Sequence, residues 1–556
     1  MNKVLFVTSE MYPLIKTGGL ADVAGALPRA LAKQGISIKI FVPGYSEVLQ
    51  KMEETGELKH LCDIEIASIP GRTQLLEGKL PAKPPKRFAL HGTEKQNKKK
   101  TSEKTREGAK KTREGANEKS TKGSPEGLDI LIMKNVSLFE RDGGPYNDSY
   151  GRDWHDNAVR FGSFSRVAAL LASPQSPIQW APDIVHLNDW QSGLAAAYLS
   201  FMPGATAKKV FTIHNIAYAG IFDPYWTGPL GLPPESFSID GVEFFGNLSF
   251  LKAGVYYSDE ITTVSPTHAK EIQTLKGGHG LYGLLSSRAE NITGILNGAD
   301  YDTWNPEHDP LIRTNYSHKN LSLKNKNKEA LRKELNLDLK SKNPIFGIVS
   351  RLNTDKGMDL ILDALPALLD MGEVVVLGSG DKGLESAFQD NAEKHPHRLS
   401  VSIGYNEPLA HRIIAGSDFF LMPSRMEPCG LTQMYAMRYG TLPIVMKVGG
   451  LFDSVDDIGE IENLENLENL ENLEQIEELE NMDGGRITCP DSEIGTGFVL
   501  SDATSVALLD AATRALKLYR NPSALQLIRE RAMLKDFSWW VSAARYVDLY
   551  RSLGTH

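Results

Sequence analysis

Short apolar runs rich in valine, isoleucine and phenylalanine recur along this chain, and longer helix-compatible stretches separate them. This alternation is typical of parallel β-sheets wound with helices, because each parallel strand needs a long crossover that a helix usually supplies. The pattern begins again near residue 344, after a stretch rich in lysine and asparagine at 312–328. The sequence therefore predicts two α/β domains. The runs are SIKIFVP, DILIMKN, DIVHLND, KVFTIHN, PIFGIVS, EVVVLGS, DFFLMPS and LPIVMKV.

Composition narrows the classes of partner. A chain of 556 residues with 41% hydrophobic residues can bury at least two cores, and a net charge of -9 gives no overall basic field for nucleic acid. Cys62, Cys429 and Cys489 are too few and too scattered for a disulfide framework. The N-terminus shows no apolar run of secretory-leader length before the polar residues Thr8, Ser9 and Glu10, and no stretch approaches the apolar length of a membrane-spanning helix. We therefore expect a cytoplasmic protein with neither a membrane nor a nucleic acid as partner.

Two segments do not fit the alternating pattern. Residues 91–127 contain KTREGA twice and almost no large apolar side chain, which predicts a disordered surface insert. Residues 461–482 repeat Glu-Asn-Leu within a low-complexity insert at about 458–485. Leucines three residues apart advance by about 300° on a helix, so their stripe rotates around the axis instead of holding one face. We favour a frayed helix or disordered loop here over a docking element.

A lysine and two glycines, in KTGGLADV at residues 16–23, lie between a strand-like and a helix-like run. Unpaired amides and the helix dipole both favour an anion at such a position. The stretch KVGGLFDSV at residues 447–455 resembles it. We expect each domain to present a glycine-rich edge to one cleft, so that a ligand between the edges closes the domains.

A third glycine-rich loop follows the run EVVVL and contains Gly378, Gly380 and Gly383. The spacing matches the dinucleotide fingerprint GxGxxG. The acidic residue expected to end the next strand is missing, since only Glu407 follows, beyond Tyr405. We favour a loop that packs beside some other nucleotide over a true NAD site.

Two cations, Arg351 and Lys356, follow the run PIFGIVS in VSRLNTDKG. The alternative is solvated surface charge, but a cation at the carboxyl end of a buried strand points toward the cleft where phosphates bind. Together with Lys16 these side chains can face a diphosphate. Each charge-assisted contact contributes roughly 1.5 to 3 kcal/mol, which suits a nucleotide sugar.

An acidic residue, Glu427, precedes a Pro-Cys-Gly turn that opens a helix. A carboxylate beside the free helix-start amides of Gly430 and Leu431 can read sugar hydroxyls, because it accepts hydrogen bonds while they donate. The alternative is a plain helix-entry acid. That alternative does not explain the cysteine and glycine beside it.

These stretches together resemble the bacterial glycogen synthases and plant starch synthases, which are glucosyltransferases. The resemblance implies an α/β GT-B fold of two Rossmann-like domains facing a central cleft. It implies an acceptor-side domain at 1–298, a nucleotide-sugar domain at 299–534, and a helix at 535–556 returning to the first domain. The shared motifs span nearly the whole chain: KTGGLADV, GGPYNDSYGRDWHDNAVRF, HLNDWQSG, TIHNIAYAG, FLKAGVYYSD, VSPTHAKEI, GILNGADYDTWNP, VSRLNTDKG, EPCGLTQMYAMRYGTLP and DFSWWVSAARY.

The family implies transfer of glucose from ADP-glucose to the non-reducing 4-hydroxyl of an α-1,4-glucan such as glycogen, with retention of configuration. Neither a cofactor nor a metal is expected, because lysine and arginine neutralise the diphosphate and no His/Cys cluster has ligand spacing. The resemblance assigns the diphosphate to Lys16, Gly19, Arg351 and Lys356, the base to Tyr405, catalysis to Glu427 and His214, the glucose to Cys429, Gly430, Leu431 and Asn297, and further cleft positions to Asp22 and Asp189.

Three residues depart from related patterns. Asn188 stands where many bacterial members have histidine, and Val448 replaces a threonine of the second glycine loop. Tyr435 lies where other retaining transferases carry a second glutamate, as it does in the glycogen synthase group. The alternatives are a UDP-glucose-preferring synthase, a non-catalytic glucan-binding relative and a dehydrogenase. A non-catalytic relative is expected to have lost one of the charged donor-site residues, and all of them are present.

Overall fold

The computed structural model describes residues 2–81, 127–459 and 495–554. Apart from their outermost positions, both expected inserts lie outside the described residues, as does Cys489. The strands are β1 Lys3–Val7, β2 Ser37–Pro43, β3 Lys59–Ile64, β4 Thr73–Leu80, β5 Leu128–Lys134, β6 Ile184–Asn188, β7 Lys208–Ile213, β8 Ile221–Phe222, β9 Glu243–Phe244, β10 Asn247–Ser249, β11 Glu260–Thr263, β12 Ile292–Gly294, β13 Ile345–Val349, β14 Glu373–Gly378, β15 Leu399–Ile403, β16 Phe419–Met422, β17 Leu442–Met446 and β18 Phe498–Leu500.

Helices occupy most of the connections between strands. They are α1 Gly19–Lys33, α2 Ser46–Glu53, α3 Val136–Phe139, α4 Asn157–Leu171, α5 Trp190–Phe201, α6 Phe250–Tyr257, α7 Pro266–Glu271, α8 Tyr282–Ser287, α9 Lys324–Glu334, α10 Met358–Met371, α11 Lys382–Lys394, α12 Glu407–Gly416, α13 Thr432–Arg438, α14 Gly449–Ser454, α15 Ser505–Tyr519, α16 Pro522–Leu534 and α17 Trp539–Leu553.

Two large sheets organise these elements. In the described residues the first sheet has the order β12-β11-β7-β6-β1-β2-β5-β4-β3, and the second has the order β15-β14-β13-β16-β17-β18. The second sheet is parallel throughout, whereas in the first only β4 runs antiparallel to its neighbours. A small antiparallel sheet, β8-β10-β9, accompanies the first. All eight apolar runs form strands, so the prediction of two parallel α/β sheets is confirmed.

The lysine- and asparagine-rich stretch at 312–328 leads into α9, which packs against the second sheet. Its buried ammonium groups have partners. Lys324 Nζ donates to the carbonyl oxygen of Ala415 at 2.8 Å and to Thr441 Oγ1 at 2.7 Å. Lys328 Nζ lies 2.6 Å from Asp418 Oδ2. Because buried charges persist only when paired, this polar stretch is part of the second core.

The last helix, α17, belongs to the core of the first sheet. Trp539, Tyr546 and Tyr550 are buried in the cluster that contains β1, β6 and β7. Tyr550 contacts His186 of β6, whose Nδ1 lies 2.6 Å from the tyrosine hydroxyl, while His186 Nε2 lies 2.6 Å from Thr212 Oγ1. Burial lowers the pKa of His186 to about 3. The imidazole is therefore neutral in the folded chain.

The free energy of unfolding is expected to decrease as the pH falls below about 6.5, because the unfolded chain then protonates histidines that the folded chain keeps neutral. His186→Gln removes one such group, so the decrease becomes shallower by up to about 1.4 kcal/mol per pH unit. Urea unfolding at several pH values measures this slope. Tyr550→Phe is the control, since it loses the hydroxyl but keeps the imidazole and the slope. Equal slopes for the native chain and His186→Gln would contradict the prediction.

The described part of the chain contains no helix that is both long enough and apolar enough to cross a bilayer.

Candidate active site

A cleft of about 1790 Å³ lies between the two sheets, where the carboxyl ends of their strands face each other. Open α/β sheets bind ligands at this edge. Every residue that the sequence assigns to the site lines this cleft, although the assigned positions span more than 400 residues of the chain. They are Lys16, Gly19, Asp22, Asp189, His214, Asn297, Arg351, Lys356, Tyr405, Glu427, Cys429, Gly430 and Leu431.

The first glycine loop connects β1 to α1, and an internal carboxylate already occupies part of it. Glu10 Oε2 accepts hydrogen bonds from the backbone N–H groups of Thr17 at 2.5 Å and Gly18 at 3.2 Å. The hydroxyl of Thr17 donates to the same oxygen at 2.8 Å. The amides available to an external anion therefore begin at Gly19, where α1 starts.

One ion pair and one hydrogen-bonded pair line the cleft on opposite walls. Lys16 Nζ lies 2.7 Å from Asp22 Oδ1, and both side chains are partly exposed. Burial is the main cause that raises the pKa of Asp22, and the nearby Lys16 opposes it. On the facing wall, the Tyr405 hydroxyl donates to Glu407 Oε2 at 2.9 Å, and Tyr405 as a whole is 77% exposed. An exposed ring at this position is available for stacking.

The second half of the chain contributes two cations with different environments. Lys356, in the one-turn helix Thr354–Lys356, places Nζ 2.5 Å from Glu427 Oε2. Glu427 is only 8% exposed and also accepts from Ser424 Oγ at 3.2 Å. The Arg351 guanidinium, two residues after β13, makes no ion pair or hydrogen bond with any described residue. Within the part of the chain that the structure describes, it is an unpaired cation on the cleft wall.

The Pro-Cys-Gly turn lies between β16 and α13. Gly430 has φ +72°, a left-handed conformation that favours glycine. Gln433 Nε2 donates to the carbonyl oxygens of Cys429 at 3.2 Å and Gly430 at 3.0 Å. These hydrogen bonds from a buried side chain fix the backbone of the turn. Burial raises the pKa of Cys429 to about 12, while hydrogen bonds from Asn297 oppose that change. The thiol therefore stays neutral.

The second glycine loop does not line this cleft, contrary to the expectation that each domain presents a glycine-rich edge. Gly449 and Gly450 are buried behind the Pro-Cys-Gly turn, where an added Cβ would lie 2.1 Å from the Glu427 carbonyl oxygen and 2.2 Å from that of Cys429. The loop also meets the first domain, since Gly449 N–H donates to Glu271 Oε1 at 2.9 Å. These glycines permit close packing that supports Glu427.

The GxGxxG loop has a similar explanation. A Cβ on Gly378 would lie 1.8 Å from the Ser350 carbonyl oxygen, and one on Gly380 would lie 2.3 Å from that of Leu352. Both glycines thus let the loop run against the segment that carries Arg351. Close backbone packing explains why this loop matches the dinucleotide fingerprint, and a position beside a nucleotide stays a prediction.

His214 directly follows β7 and is held by two consecutive residues at the end of β6. Its backbone N–H donates to Asp189 Oδ1 at 2.8 Å, and its ring Nε2 lies 2.9 Å from Asn188 Oδ1. Burial raises the pKa of Asp189 to about 7 and lowers that of His214 to about 3. Asp189 itself has φ +54°. A strained backbone at a cleft residue is typical of a functional position.

Three residues around the site were missed by sequence reasoning: Glu10, Asn188 in its structural role, and Gln433. Glu10 carries a weak signal, an acid placed directly after a buried strand and before a glycine loop. In the sequence, Asn188 stands out only as a departure from a family pattern. Gln433 gives no signal, because its partners are backbone carbonyls of its own turn and the hydroxyl of Ser454, which lies 21 positions along the chain.

Family models match both halves of the chain. Residues 3–287 match the starch synthase catalytic domain, and residues 327–468 match glycosyl transferases group 1. Among similar proteins is a glycogen synthase of Nitrosospira multiformis, 42% identical over 551 residues, which are 99% of this chain and 97% of that protein. A glycogen synthase of Granulibacter bethesdensis is 40% identical over 553 residues, which are 99% of this chain and 99% of that protein.

A solved structure is similar to this chain over its whole length. The catalytic domain of starch synthase IV from Arabidopsis thaliana, bound to ADP and acarbose, superposes with a TM-score of 0.76 at 29% identity. The alignment covers 100% of both chains.

Proposed function

Because the chain belongs to the family of starch synthases and bacterial glycogen synthases, we propose that its cleft binds ADP-glucose and adds the glucose to an α-1,4-glucan. The chain is a hexosyltransferase of this family and has the GT-B fold that the sequence predicts. One observation supports the proposal most directly. Cations from both halves of the chain meet the Glu427 carboxylate and the Pro-Cys-Gly turn in a single cleft.

The proposed donor site begins with a diphosphate clamp. Lys16 and the amide of Gly19 form one side, and Arg351 with Lys356 forms the other. Arg351 needs no rearrangement to meet an anion, since its guanidinium has no partner among the described side chains. Lys356 and Lys16 each exchange part of a carboxylate contact for the phosphate oxygens. Tyr405 then stacks near the base.

The proposed glucose site lies deeper, around Glu427. Its carboxylate and the backbone of Cys429, Gly430 and Leu431 offer acceptors and donors for the sugar hydroxyls. Asn297 faces the same turn and has a buried Oδ1 without a hydrogen-bond partner among the described residues, which a hydroxyl can satisfy. His214 lies on the opposite side of the cleft, at the end of the first sheet.

The proposed reaction retains configuration without a carboxylate nucleophile. The bond between the anomeric carbon and the diphosphate oxygen breaks, and a bond forms to O4 of the glucan on the same face. The proton of that 4-hydroxyl passes to an oxygen of the departing diphosphate. The clamp cations stabilise the charge that develops on the leaving group, and Glu427 and His214 orient the oxocarbenium-like sugar.

Two further assignments complete the proposal. Asp22 and Asp189 act as additional cleft residues: the first adjusts the charge near Lys16, and the second holds the backbone of His214. The reaction needs no bound cofactor or metal, because the clamp supplies enough positive charge for the diphosphate.

The donor and the reaction are tested by nucleotide release from ADP-glucose and from UDP-glucose, each with and without glycogen. We expect ADP release that depends on glycogen, and much slower release of UDP. Reactions without glycogen correct for hydrolysis. Glycogen-dependent release of UDP alone would refute the assigned donor, and no release from either sugar would refute the reaction.

A further inference from the structure

The side-chain amide of Asn188 bridges three strands at the bottom of the cleft. Asn188 is the last residue of β6 and is 1% exposed. Its Nδ2 lies 3.0 Å from the carbonyl oxygen of Val7, the last residue of β1. Its Oδ1 lies 2.9 Å from Nε2 of His214, the first residue after β7.

These two contacts fix the direction of every hydrogen bond in the bridge. The Val7 carbonyl can only accept, so the amide nitrogen of Asn188 must face it. The amide oxygen therefore faces His214, and an amide oxygen can only accept as well. The hydrogen must then be on His214 Nε2. In a neutral imidazole the other nitrogen, Nδ1, carries the lone pair.

By elimination, the remaining ring nitrogen of His214 faces the cleft. His214 Nδ1 has no hydrogen-bond partner among the described residues, and it is not one of the buried atoms that lack a partner. The side chain is half-buried and lines the cleft. Nδ1 is thus an accessible acceptor on the wall opposite Glu427.

We propose that Asn188 is a positioning residue that holds His214 as the Nε2–H tautomer, so that Nδ1 accepts a hydrogen bond from a hydroxyl of the donor sugar. This inference rests on the proposed function, since it takes a sugar as the ligand of the cleft. It also assigns a direction to the contact: the histidine accepts and the sugar donates.

Burial keeps the imidazole neutral by lowering the pKa of His214, and none of the neighbouring groups that the structure describes places a charge against the ring. Asp189 turns its carboxylate to the backbone N–H of His214 and not to the ring. His186, two residues before Asn188 on β6, is buried and uncharged. Thr263 of β11 donates its hydroxyl to the carbonyl oxygen of Ile213 at 2.8 Å, so this hydroxyl is directed to the backbone beside His214 and not to the ring. Asn188 is the group that faces Nε2.

The tautomer can be measured directly on the full chain. With ¹⁵N-labelled histidine, the protonated and bare ring nitrogens of a neutral imidazole have very different chemical shifts. The chain has 13 histidines, and the signal that disappears in His214→Gln identifies the relevant one. We expect a protonated Nε2 and a bare Nδ1 in the native chain. A protonated Nδ1 would overturn the proposal.

The consequence for activity is tested with Asn188→Asp, which keeps the size of the side chain and replaces a neutral acceptor by a charged one. A carboxylate facing Nε2 favours the imidazolium, in which Nδ1 donates and can no longer accept. Relative to the native chain, we expect the ratio of kcat at pH about 8 to kcat at pH about 6 to rise roughly fivefold or more.

A matched control separates this effect from loss of structure. Thr263→Val removes one buried hydrogen bond to the same strand end, so it can lower kcat but should leave its pH dependence unchanged. A uniform loss at all pH values in Asn188→Asp would overturn the proposal in favour of a purely structural role. The tautomer measurement needs no turnover, so inactivity of the native chain with both sugars would refute the proposed function alone.

Discussion

Replacing Glu427 by glutamine is expected to lower kcat with ADP-glucose by about 10²- to 10³-fold while ADP still binds. The carboxylate is 8% exposed and lies beside the Pro-Cys-Gly turn, so its charge acts where the sugar becomes positive. Glutamine keeps the shape of the side chain and loses the charge. Lys356, which loses its 2.5 Å partner, becomes fully available to the diphosphate. ADP affinity should therefore be equal or higher.

Steady-state kinetics and calorimetric titration with ADP measure these two quantities separately. Glu385→Gln is a suitable control, because Glu385 is also a buried glutamate paired with a lysine, Lys382, at 2.6 Å. It lies in the same half of the chain but outside the cleft. Unchanged turnover in Glu427→Gln would remove Glu427 from the catalytic assignment.

Arg351→Gln is expected to weaken ADP binding and to lower kcat/KM for ADP-glucose by about 10- to 150-fold, which corresponds to one charge-assisted contact of roughly 1.5 to 3 kcal/mol. A substitution of this arginine tests the proposed phosphate contact alone. Its guanidinium has no partner among the described residues, so the substitution breaks no contact within the protein. Stability should therefore stay the same.

Arg412→Gln matches the change in net charge. Arg412 lies on α12 and pairs with Glu334 at 2.7 Å, away from the cleft. Arg412→Gln should leave ADP binding unaffected. The difference in ADP affinity between the two variants should persist at different salt concentrations. If Arg351→Gln bound ADP as tightly as the native chain, the second side of the proposed clamp would be wrong.

The sheets were predictable because parallel strands are buried on both faces and read as continuous apolar runs. The strands that sequence reasoning missed lack that signal. β3 is mostly exposed and includes Lys59, His60 and Asp63, and β12 has only three residues. Their pairing depends on neighbouring strands and not on their own composition.

In the site, the charged residues were predictable and their partners were not. Arg351 and Lys356 follow a buried strand, which directs them to the ligand edge. The contact between Lys356 and Glu427 joins residues 71 positions apart, and no local pattern encodes that separation. Glu10 likewise occupies loop amides that the sequence left open for an external anion.

The second glycine loop shows why a repeated motif can mislead. Each loop has a lysine followed by two glycines at the start of a helix, so the sequence predicts the same role for both. Gly19 has open space around its Cβ position, whereas Gly449 and Gly450 have carbonyl oxygens there. In the second loop the glycines permit close approach to the protein's own backbone, whereas Gly19 leaves open space in the cleft.

The placement of α17 has a consequence for synthesis of the chain. Trp539, Tyr546 and Tyr550 complete a core that is otherwise built from strands and helices made much earlier. Domains usually fold in order as they leave the ribosome. Here the first sheet cannot close its core until residues 539–550 have emerged, by which time the second sheet is available. The half made first is therefore completed last, and the apolar surface that α17 covers stays exposed until α17 has been synthesised.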